Sequence, residues 1–199
     1  MTGIMNAMRY PAEDTAERHE HILDAASHMF RQSGFDGVSV AAVMKAAGLT
    51  HGGFYAHFES KDALVAASVE RSLSETLDLV EQAGEAAEPL AALVAEYLST
   101  QHRDDPASGC TMAALASEIS RASGPVRHTF SAQVRALVER IGGTFFPGLR
   151  ANARAEAIVT MSTLVGALLI ARAVEDPALS AEILAANRAH FGVGPEVGE

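Results

Sequence analysis

Apolar residues first recur at helical spacing in one segment near the start of the chain: Ile22, Ala25, Ala26, Met29 and Phe30. A stripe of this kind predicts an amphipathic helix that begins near residue 17 and ends at Gly34. Residues 1–16 show no such periodicity, so we expect a mobile tail there.

Two short helices and the start of a longer one follow within thirty residues. Ser39 is a candidate N-cap for the second helix, and Gly48 suits the left-handed position that ends it. Thr50 is a candidate N-cap for a third helix over about 50–57, and Ser60 for a fourth. The pattern predicts a helix-turn-helix flanked by longer helices.

The rest of the chain alternates helical patterns with short breaks. Further helices are predicted over 63–84, 89–102, 110–120, 126–146, 154–174 and 178–190, with a loop at 103–109. We therefore predict an all-α fold of about nine helices, divided into a three-helix head (17–62) and a helical body (63–191). Residues 192–199 are expected to form a loose end.

The composition indicates the structural class of the protein and the compartment in which we expect it. The chain has 199 residues, and 48% of them are apolar, which excludes wholesale disorder. Its single cysteine, Cys110, cannot form an intramolecular disulfide, which favours a reducing compartment. The longest apolar run, Leu164–Ala171, is far shorter than the roughly 20 residues that cross a bilayer. We expect a cytoplasmic protein without a membrane span.

Charge is unevenly distributed between head and body. The net charge is −10, which argues against affinity of the whole surface for nucleic acid. Residues 18–61 are nevertheless neutral, with four basic and four acidic side chains, and they hold the only lysines, Lys45 and Lys61. This distribution is compatible with a small DNA-contacting tip on an acidic body.

Two adjacent glycines, Gly52 and Gly53, lie inside the predicted third helix. Glycine is about 1 kcal/mol less favourable than alanine in a helix, so its presence here needs a reason. A helix that enters a major groove about 12 Å wide gains from small residues where its backbone approaches the DNA. The buried residues Phe54 and Phe58 are expected to offset the cost by packing on the first helix.

The sequence from Arg18 to Ser74 resembles the DNA-binding head of the TetR family of transcriptional regulators. The resemblance lies in "ILDAA" of the first helix, in Gly34, Phe35 and Gly48, and in the string "AAGLTHGGFYAHFESKDAL". Beyond residue 74 the chain is similar to that family only in its all-helical plan.

The resemblance implies a homodimeric repressor that a small-molecule effector releases from a palindromic DNA operator. It implies phosphate contacts by Tyr55, His57 and Lys61, and it places Thr50, His51 and Gly52 on the groove floor. Gly53 belongs to the same DNA-binding set, although glycine lacks the side chain that often makes a contact at this position in the family. Ser39, Val40 and Lys45 of the second helix complete the predicted DNA-binding set. The dimer is expected to form through the helices at about 154–174 and 178–190.

The effector is expected to bind within the helical body, at a site the sequence defines only loosely. The candidate lining residues are Tyr97, Cys110, Met112, Leu115, Phe130, Val134 and Leu168. Each of them is also compatible with a plain core position.

Two other functions remain open at this point. Cys110 opens a predicted helix, where a thiol pKa can be lowered, so a thiol-based redox regulator is one alternative. The other is a ligand carrier or enzyme with a non-functional head, although no catalytic spacing stands out. His19, His21 and His28 do not share one helix face, so we predict no metal site and no cofactor.

Overall fold

The computed structural model describes residues 12–196, and its regular structure is entirely helical. The nine α-helices in this range are α1 (Ala12–Ser33), α2 (Val40–Ala46), α3 (Lys61–Gly84), α4 (Pro89–Tyr97), α5 (Thr100–Asp104), α6 (Thr111–Ile119), α7 (Gly124–Phe145), α8 (Ala153–Ala173) and α9 (Pro177–His190). Two 3-10 helices, His51–Ala56 and Pro147–Asn152, complete the order. The predicted all-α class is confirmed.

Local capping explains most of the boundaries in the head. The Ser39 side chain accepts a hydrogen bond from the Ala42 N–H, and Ser60 accepts one from the Ala63 N–H, so both predicted N-caps are confirmed. Gly48 has a φ of 73°, the left-handed conformation expected after α2. Thr50 is the N-cap residue of the next helix, as predicted, but its side chain makes no capping hydrogen bond.

Two predicted features of the head differ from the structure. The first helix begins at Ala12 rather than near residue 17, so the predicted tail is wrong over 12–16, and residues 1–11 lie outside the described residues. The third helix is a 3-10 helix over His51–Ala56 instead of an α-helix. Its paired glycines lower helical propensity, which favours a short, tightly wound turn.

The single helix predicted over 89–102 is two helices, α4 and α5. Ser99 has an extended backbone, and its hydroxyl accepts a hydrogen bond from the His102 N–H, so it starts α5 as an N-cap. Leu98 at the break is completely buried, which anchors the bend in the core. The loop predicted over 103–109 begins later, because α5 continues to Asp104.

The described part of the C-terminus is held rather than loose. The Glu196 carboxylate accepts hydrogen bonds from the Thr100 N–H at 3.1 Å and from the Thr100 hydroxyl at 3.2 Å. The Arg188 Nε donates to the Gly194 carbonyl at 3.2 Å. The predicted loose end is therefore wrong over 192–196, and residues 197–199 lie outside the described residues.

Helix α3 joins the head to the body. Its N-terminal half packs against α1, and it also lies against α7 of the body, while α8 packs on α7 and α9. One continuous apolar core runs from Ile22 and Phe54 in the head to Leu168 and Leu184 in the last helices. Movement of α3 is therefore transmitted directly between the two halves.

Candidate nucleic-acid interface and cavity

The 3-10 helix over His51–Ala56 is fixed to the head by two aromatic rings. Phe54 and Phe58 are buried, and their ring centroids lie 5.8 Å apart in a stacked arrangement. Phe58 in turn stacks on His19 of α1 with centroids 4.6 Å apart. The expected anchoring of this segment on the first helix is present, and it holds the opposite face outward.

Neither of the paired glycines is required by the fold itself. Neither has a positive φ. A Cβ atom added at Gly52 would meet no atom within 4 Å, and one added at Gly53 would approach nothing closer than 3.7 Å. Conformation and internal packing therefore both allow a larger residue at these two positions.

The outward face carries polar side chains in close succession. Thr50 and His51 are exposed, and Tyr55 is 73% exposed although its ring packs edge-on against Phe54 at 5.2 Å. His57 is half-buried, and its pKa is lowered by this burial and by the neighbouring His19 and Arg18. The surface therefore offers hydrogen-bond donors beside a histidine whose lowered pKa favours the neutral ring in the free protein.

The other predicted contact residues border this face in different states. Ser39 and Lys45 of α2 are exposed, and Val40 is half-buried. Lys61 at the start of α3 is half-buried, and its Nζ donates a hydrogen bond to the Phe35 carbonyl at 2.5 Å. An ammonium has three N–H donors, so Lys61 keeps donors for a phosphate after this contact.

A cavity of about 540 Å³ opens between α3, α4, α5 and the segment 105–110. Tyr97 and Cys110 line it, as predicted for two members of the candidate set. The other five do not line it: Met112, Leu115, Phe130, Val134 and Leu168. All five belong to the apolar core or pack against it, because their spacing reflects helix packing in the body.

One histidine in the cavity wall has both ring nitrogens occupied. The Cys110 N–H donates to His102 Nε2 at 2.9 Å, so the proton resides on Nδ1, which donates to the Tyr97 carbonyl at 2.7 Å. Burial lowers the pKa of His102, and the nearby Arg172 guanidinium lowers it further. His102 is therefore a neutral side chain that connects the Tyr97 carbonyl and the Cys110 N–H, and its ring nitrogens are not free to bind a ligand.

The same end of the cavity holds an unused hydroxyl. Among the described residues, the buried Tyr97 Oη has no hydrogen-bond partner, and Arg172 Nη1 is likewise unpartnered. Burial raises the pKa of Tyr97 well above its ordinary value, as does the adjacent Cys110, while Arg172 acts in the opposite direction. The phenol therefore stays protonated and available as a donor.

Arg31 connects the head to the cavity wall. This buried α1 residue donates from Nε to the Ala107 carbonyl at 2.5 Å and from Nη1 to Glu75 Oε2 at 3.3 Å. Glu75 lines the cavity, and Ala107 belongs to the 105–110 segment that closes it. A shift of either wall would therefore move a residue of the head's first helix.

The last two helices carry an apolar surface that this subunit leaves uncovered. One face of α8 is buried, and the opposite face forms what we call the α8 stripe, at helical spacing: Ala155, Ile158, Val159, Ser162, Gly166, Leu169, Ile170 and Ala173. Four of its members are large apolar residues between 42% and 58% exposed, and Leu179 of α9 is 43% exposed. No charged side chain interrupts the stripe.

Helix α8 is also the one helix within residues 12–196 that is long and apolar enough to cross a membrane. The expectation of no membrane span rested on the apolar run Leu164–Ala171, which covers only part of the C-terminal half of this helix. Its buried face packs on α7 and α9 of the same globule. A helix apolar on both sides also suits a position between a core and a second subunit.

Within the described residues, no group of three or more histidine, cysteine, aspartate or glutamate side chains is placed to hold a metal ion. Cys110 is a free, buried thiol. The histidine closest to it, His102, already uses both ring nitrogens.

Comparison with known proteins places the head in a recognised group. The sequence profile described as "Bacterial regulatory proteins, tetR family" matches residues 22–68, which contain α2, the 3-10 helix and most of the segment that anchors them. This match covers the candidate nucleic-acid interface and ends within α3.

Two curated relatives match part of the chain. The uncharacterised HTH-type transcriptional regulator YvdT of Bacillus subtilis is 38% identical over 68 residues, which are 34% of this chain and 35% of that protein. The HTH-type transcriptional regulator AcrR of Shigella flexneri is 37% identical over 87 residues, which are 43% of this chain and 40% of that protein. The matched segments thus span well under half the length of these relatives.

The likeness in structure extends over nearly the whole chain. A TetR-family transcriptional regulator from Agrobacterium tumefaciens superposes with a TM-score of 0.72 at 25% identity, covering 88% of this chain and 97% of that one. The body therefore shares its helical plan with that regulator, while its sequence differs widely.

Proposed function

We propose that this chain, which belongs to the TetR family of bacterial regulatory proteins, is a homodimeric transcriptional repressor that a small molecule releases from a palindromic operator. In this proposal, residues 17–62 bind DNA, and residues 63–191 bind the effector and form the dimer. It acts in the cytoplasm and performs no catalysis.

The observation that carries the DNA-binding proposal is the bare face at Gly52 and Gly53. Both glycines are free of internal constraint and lie among the exposed side chains of Thr50, His51 and Tyr55, which supports a role in the close approach of a DNA groove. Here Thr50 and His51 lie beside the two glycines at the groove floor, where base edges are read. The proposal assigns no side-chain contact to the glycines themselves.

Phosphate contacts flank that face in the proposed complex. Tyr55, His57 and Lys61 fix the register of the head on the duplex, because hydrogen bonds to phosphates position a protein without reading sequence. The N-terminal end of α2, with Ser39 and Val40, lies against the backbone, and Lys45 adds positive charge. These contacts make operator binding sensitive to salt.

The α8 stripe supports the dimer. Burying a large apolar side chain contributes about 1.5–3 kcal/mol, so covering the stripe and Leu179 with the same surface of a second copy supplies a strong driving force. A two-fold dimer presents two heads to half-sites roughly 34–36 Å apart, which gives the palindromic operator its spacing.

Effector control is proposed to act through Arg31. A molecule that enters the cavity displaces Glu75 or the 105–110 segment, and Arg31 carries the change into α1 and so into the head. The effector can weaken DNA binding only by its difference in affinity for the two arrangements of the dimer.

The test begins with selection of bound fragments from sheared genomic DNA, followed by gel-shift titration of a selected palindromic site over a range of salt concentrations. We expect specific binding that weakens steeply as salt rises. Tyr55→Ala and Lys61→Ala should each weaken it, whereas Arg127→Ala, which removes an exposed charge from α7, should not. If both head variants bound as tightly as the native chain, the assigned surface would be wrong.

A further inference from the structure

We infer that the cavity binds an uncharged, largely apolar molecule that points one hydrogen-bond-accepting oxygen, such as a ketone or ester carbonyl, at the hydroxyl of Tyr97. This inference rests on the proposed effector-controlled function and specifies the chemistry of that effector. It depends on three features of the wall: one unused donor, a bordering positive charge and an acidic lining.

The unused donor is the Tyr97 hydroxyl. Buried polar groups in folded proteins almost always have a hydrogen-bond partner, whereas this hydroxyl has no oxygen or nitrogen partner among the described residues and only the Cys110 thiol, a weak acceptor, beside it. Tyr97 lies in the cavity wall with its hydroxyl buried inside that wall, so a bound molecule reaches the hydroxyl once the wall around it opens. Because the phenol remains protonated, the group that satisfies it must accept a hydrogen bond.

The neighbouring side chains favour the oxygen end of a carbonyl dipole. The Arg172 guanidinium acts electrostatically on Tyr97, and it is held in place by donating from Nε to the Arg103 carbonyl at 3.0 Å and from Nη2 to the His102 carbonyl. A Cβ added at Gly109 would lie 2.7 Å from Arg172 Nη2, so glycine there allows the guanidinium its close position. His102 offers no competing donor or acceptor, because both its ring nitrogens are bonded.

The charged lining excludes a fully anionic effector. Three carboxylates line the cavity, Glu75, Glu96 and Asp105, and no lysine or arginine is among its lining residues. Glu75 is already paired with Arg31 at 3.3 Å. A carboxylate or phosphate ligand would meet this negative field before it reached Tyr97, whereas a neutral carbonyl would not.

The volume of the cavity and its other lining residues suit a small apolar molecule. Leu79 and Ala83 of α3 face the cavity together with Ala92 and Leu93 of α4. A volume of about 540 Å³ lies within the range of roughly 300–1,000 Å³ that is usual for small-molecule sites. The site thus combines an apolar cleft with one oriented polar group.

Four naphthalene derivatives with one substituent at the same ring position test this chemistry. Acetylnaphthalene carries the neutral carbonyl, ethylnaphthalene lacks the acceptor, naphthoate is anionic and (aminomethyl)naphthalene is cationic. Naphthyl fluorescence reports binding directly, because the chain contains no tryptophan. We expect acetylnaphthalene to bind tightest, with ethylnaphthalene weaker by about tenfold, the effect of one neutral hydrogen bond.

The variant Tyr97→Phe should bind acetylnaphthalene and ethylnaphthalene with equal affinity, since only the hydroxyl is lost. Tyr55→Phe, the same deletion on the DNA-facing surface, should keep the native preference. The inference is overturned if naphthoate or the cation binds tightest, if Tyr97→Phe retains the preference for the ketone, or if no compound binds. The ranking by the native protein decides the matter even if a variant misfolds.

A gel shift on the same preparation separates this inference from the proposed function. DNA binding without a preference for the ketone would overturn the inference and leave the DNA-binding regulator standing. The ketone preference without DNA binding would overturn the regulator and leave the cavity chemistry standing. Acetylnaphthalene that binds and also releases DNA supports both.

Discussion

The exposed face of the 51–56 helix and the cavity around Tyr97 differ in their chemistry: the first lacks side chains, and the second holds a polar group. On the head, Gly52 and Gly53 carry no side chain, although the subunit has room for one at both positions. In the cavity, Tyr97 holds a hydroxyl for which the described residues provide no partner. The first feature suits a large rigid surface that approaches from outside, and the second suits a small molecule that enters the fold.

The two regions also differ in how they are assembled. The DNA-facing residues come from one short stretch, so local helix geometry places them together. The cavity wall is drawn from three helices and a loop between Ser72 and Cys110, and packing of the whole body brings it together. A change in the head should therefore act locally on DNA binding, whereas a change in the body should act through the arrangement of the dimer.

The largest effect is expected from breaking the α8 stripe with Ile170→Asp. A carboxylate placed on the apolar stripe has no partner in the proposed interface, so the dimer should dissociate. A single head loses the benefit of two linked half-sites, and operator affinity should fall by more than about a hundredfold. Light scattering coupled to size-exclusion chromatography and gel shift measure the two effects.

Leu149→Asp is the matched control, because Leu149 is 47% exposed but lies in the 147–152 helix, outside the stripe. It should leave the native mass and operator affinity in place. An Ile170→Asp protein that remained dimeric would show that another surface joins the subunits. The difference between local and body-wide effects would then have to be reconsidered.

The next effect concerns the link between the two regions. Arg31→Met removes two charge-assisted hydrogen bonds from a buried position, and we expect the free energy of unfolding to fall by about 2–3 kcal/mol. Chemical denaturation measures it. Arg71→Met is the comparison, because Arg71 pairs with Glu20, Asp24 and Glu75 at a more exposed site and should cost less.

If Arg31→Met were no more damaging than Arg71→Met, the proposed connection between cavity and head would be too weak to carry a signal. A larger loss in Arg31→Met would locate the connection at the Ala107 carbonyl, because both arginines pair with Glu75.

The comparison also explains what the sequence could predict. The residues of the head lie close together in the chain, so "LTHGGFYAHF" indicated both the fold and the candidate surface. Helix positions in the body were predictable from their periodicity, with errors where a cap intervened, as at Ser99. Of the candidate lining residues only Tyr97 and Cys110 border this cavity, because periodicity does not distinguish a helix face that borders a cavity from one that borders core.

Two further features needed coordinates to be seen. The buried role of Arg31 depends on contacts 44 and 76 residues away in the chain, which no local pattern encodes. The opposite faces of α8 look alike in sequence, and only packing shows that one is covered and the other open. The sequence did contain one signal for this role: Arg31 directly follows Phe30, the last apolar residue of the stripe on the first helix.

A smaller effect is expected from filling the bare face with Gly52→Ala. The added methyl meets nothing in the subunit, and alanine favours helix, so stability should be unchanged or raised by up to about 1 kcal/mol. Operator affinity should fall by about tenfold, because the backbone is held away from the groove. Gly143→Ala on the exposed face of α7 also meets no atom within 4 Å, and it should raise stability without changing DNA binding.

If Gly52→Ala bound DNA as tightly as Gly143→Ala, the glycines would have no role in the approach to DNA. The absence of side chains at Gly52 and Gly53 would then no longer support a DNA-binding surface, and the support would rest on the exposed Tyr55.

The smallest effect is expected from pH, and it arises at His57. Burial, His19 and Arg18 lower the pKa of His57 in the free protein, so the ring is largely neutral near pH 7. A nearby phosphate favours the protonated ring and raises this pKa in the complex, so binding takes up a proton. Operator affinity should therefore increase as pH falls through the window between the two pKa values, by no more than about tenfold per pH unit for each proton taken up.

His57→Gln keeps a hydrogen-bond donor but cannot titrate, so it should flatten the pH dependence of operator affinity that gel shifts measure. His190→Gln, at the end of α9, should leave that dependence unchanged. An unchanged slope in His57→Gln would assign the proton to another group and remove His57 from the phosphate contacts.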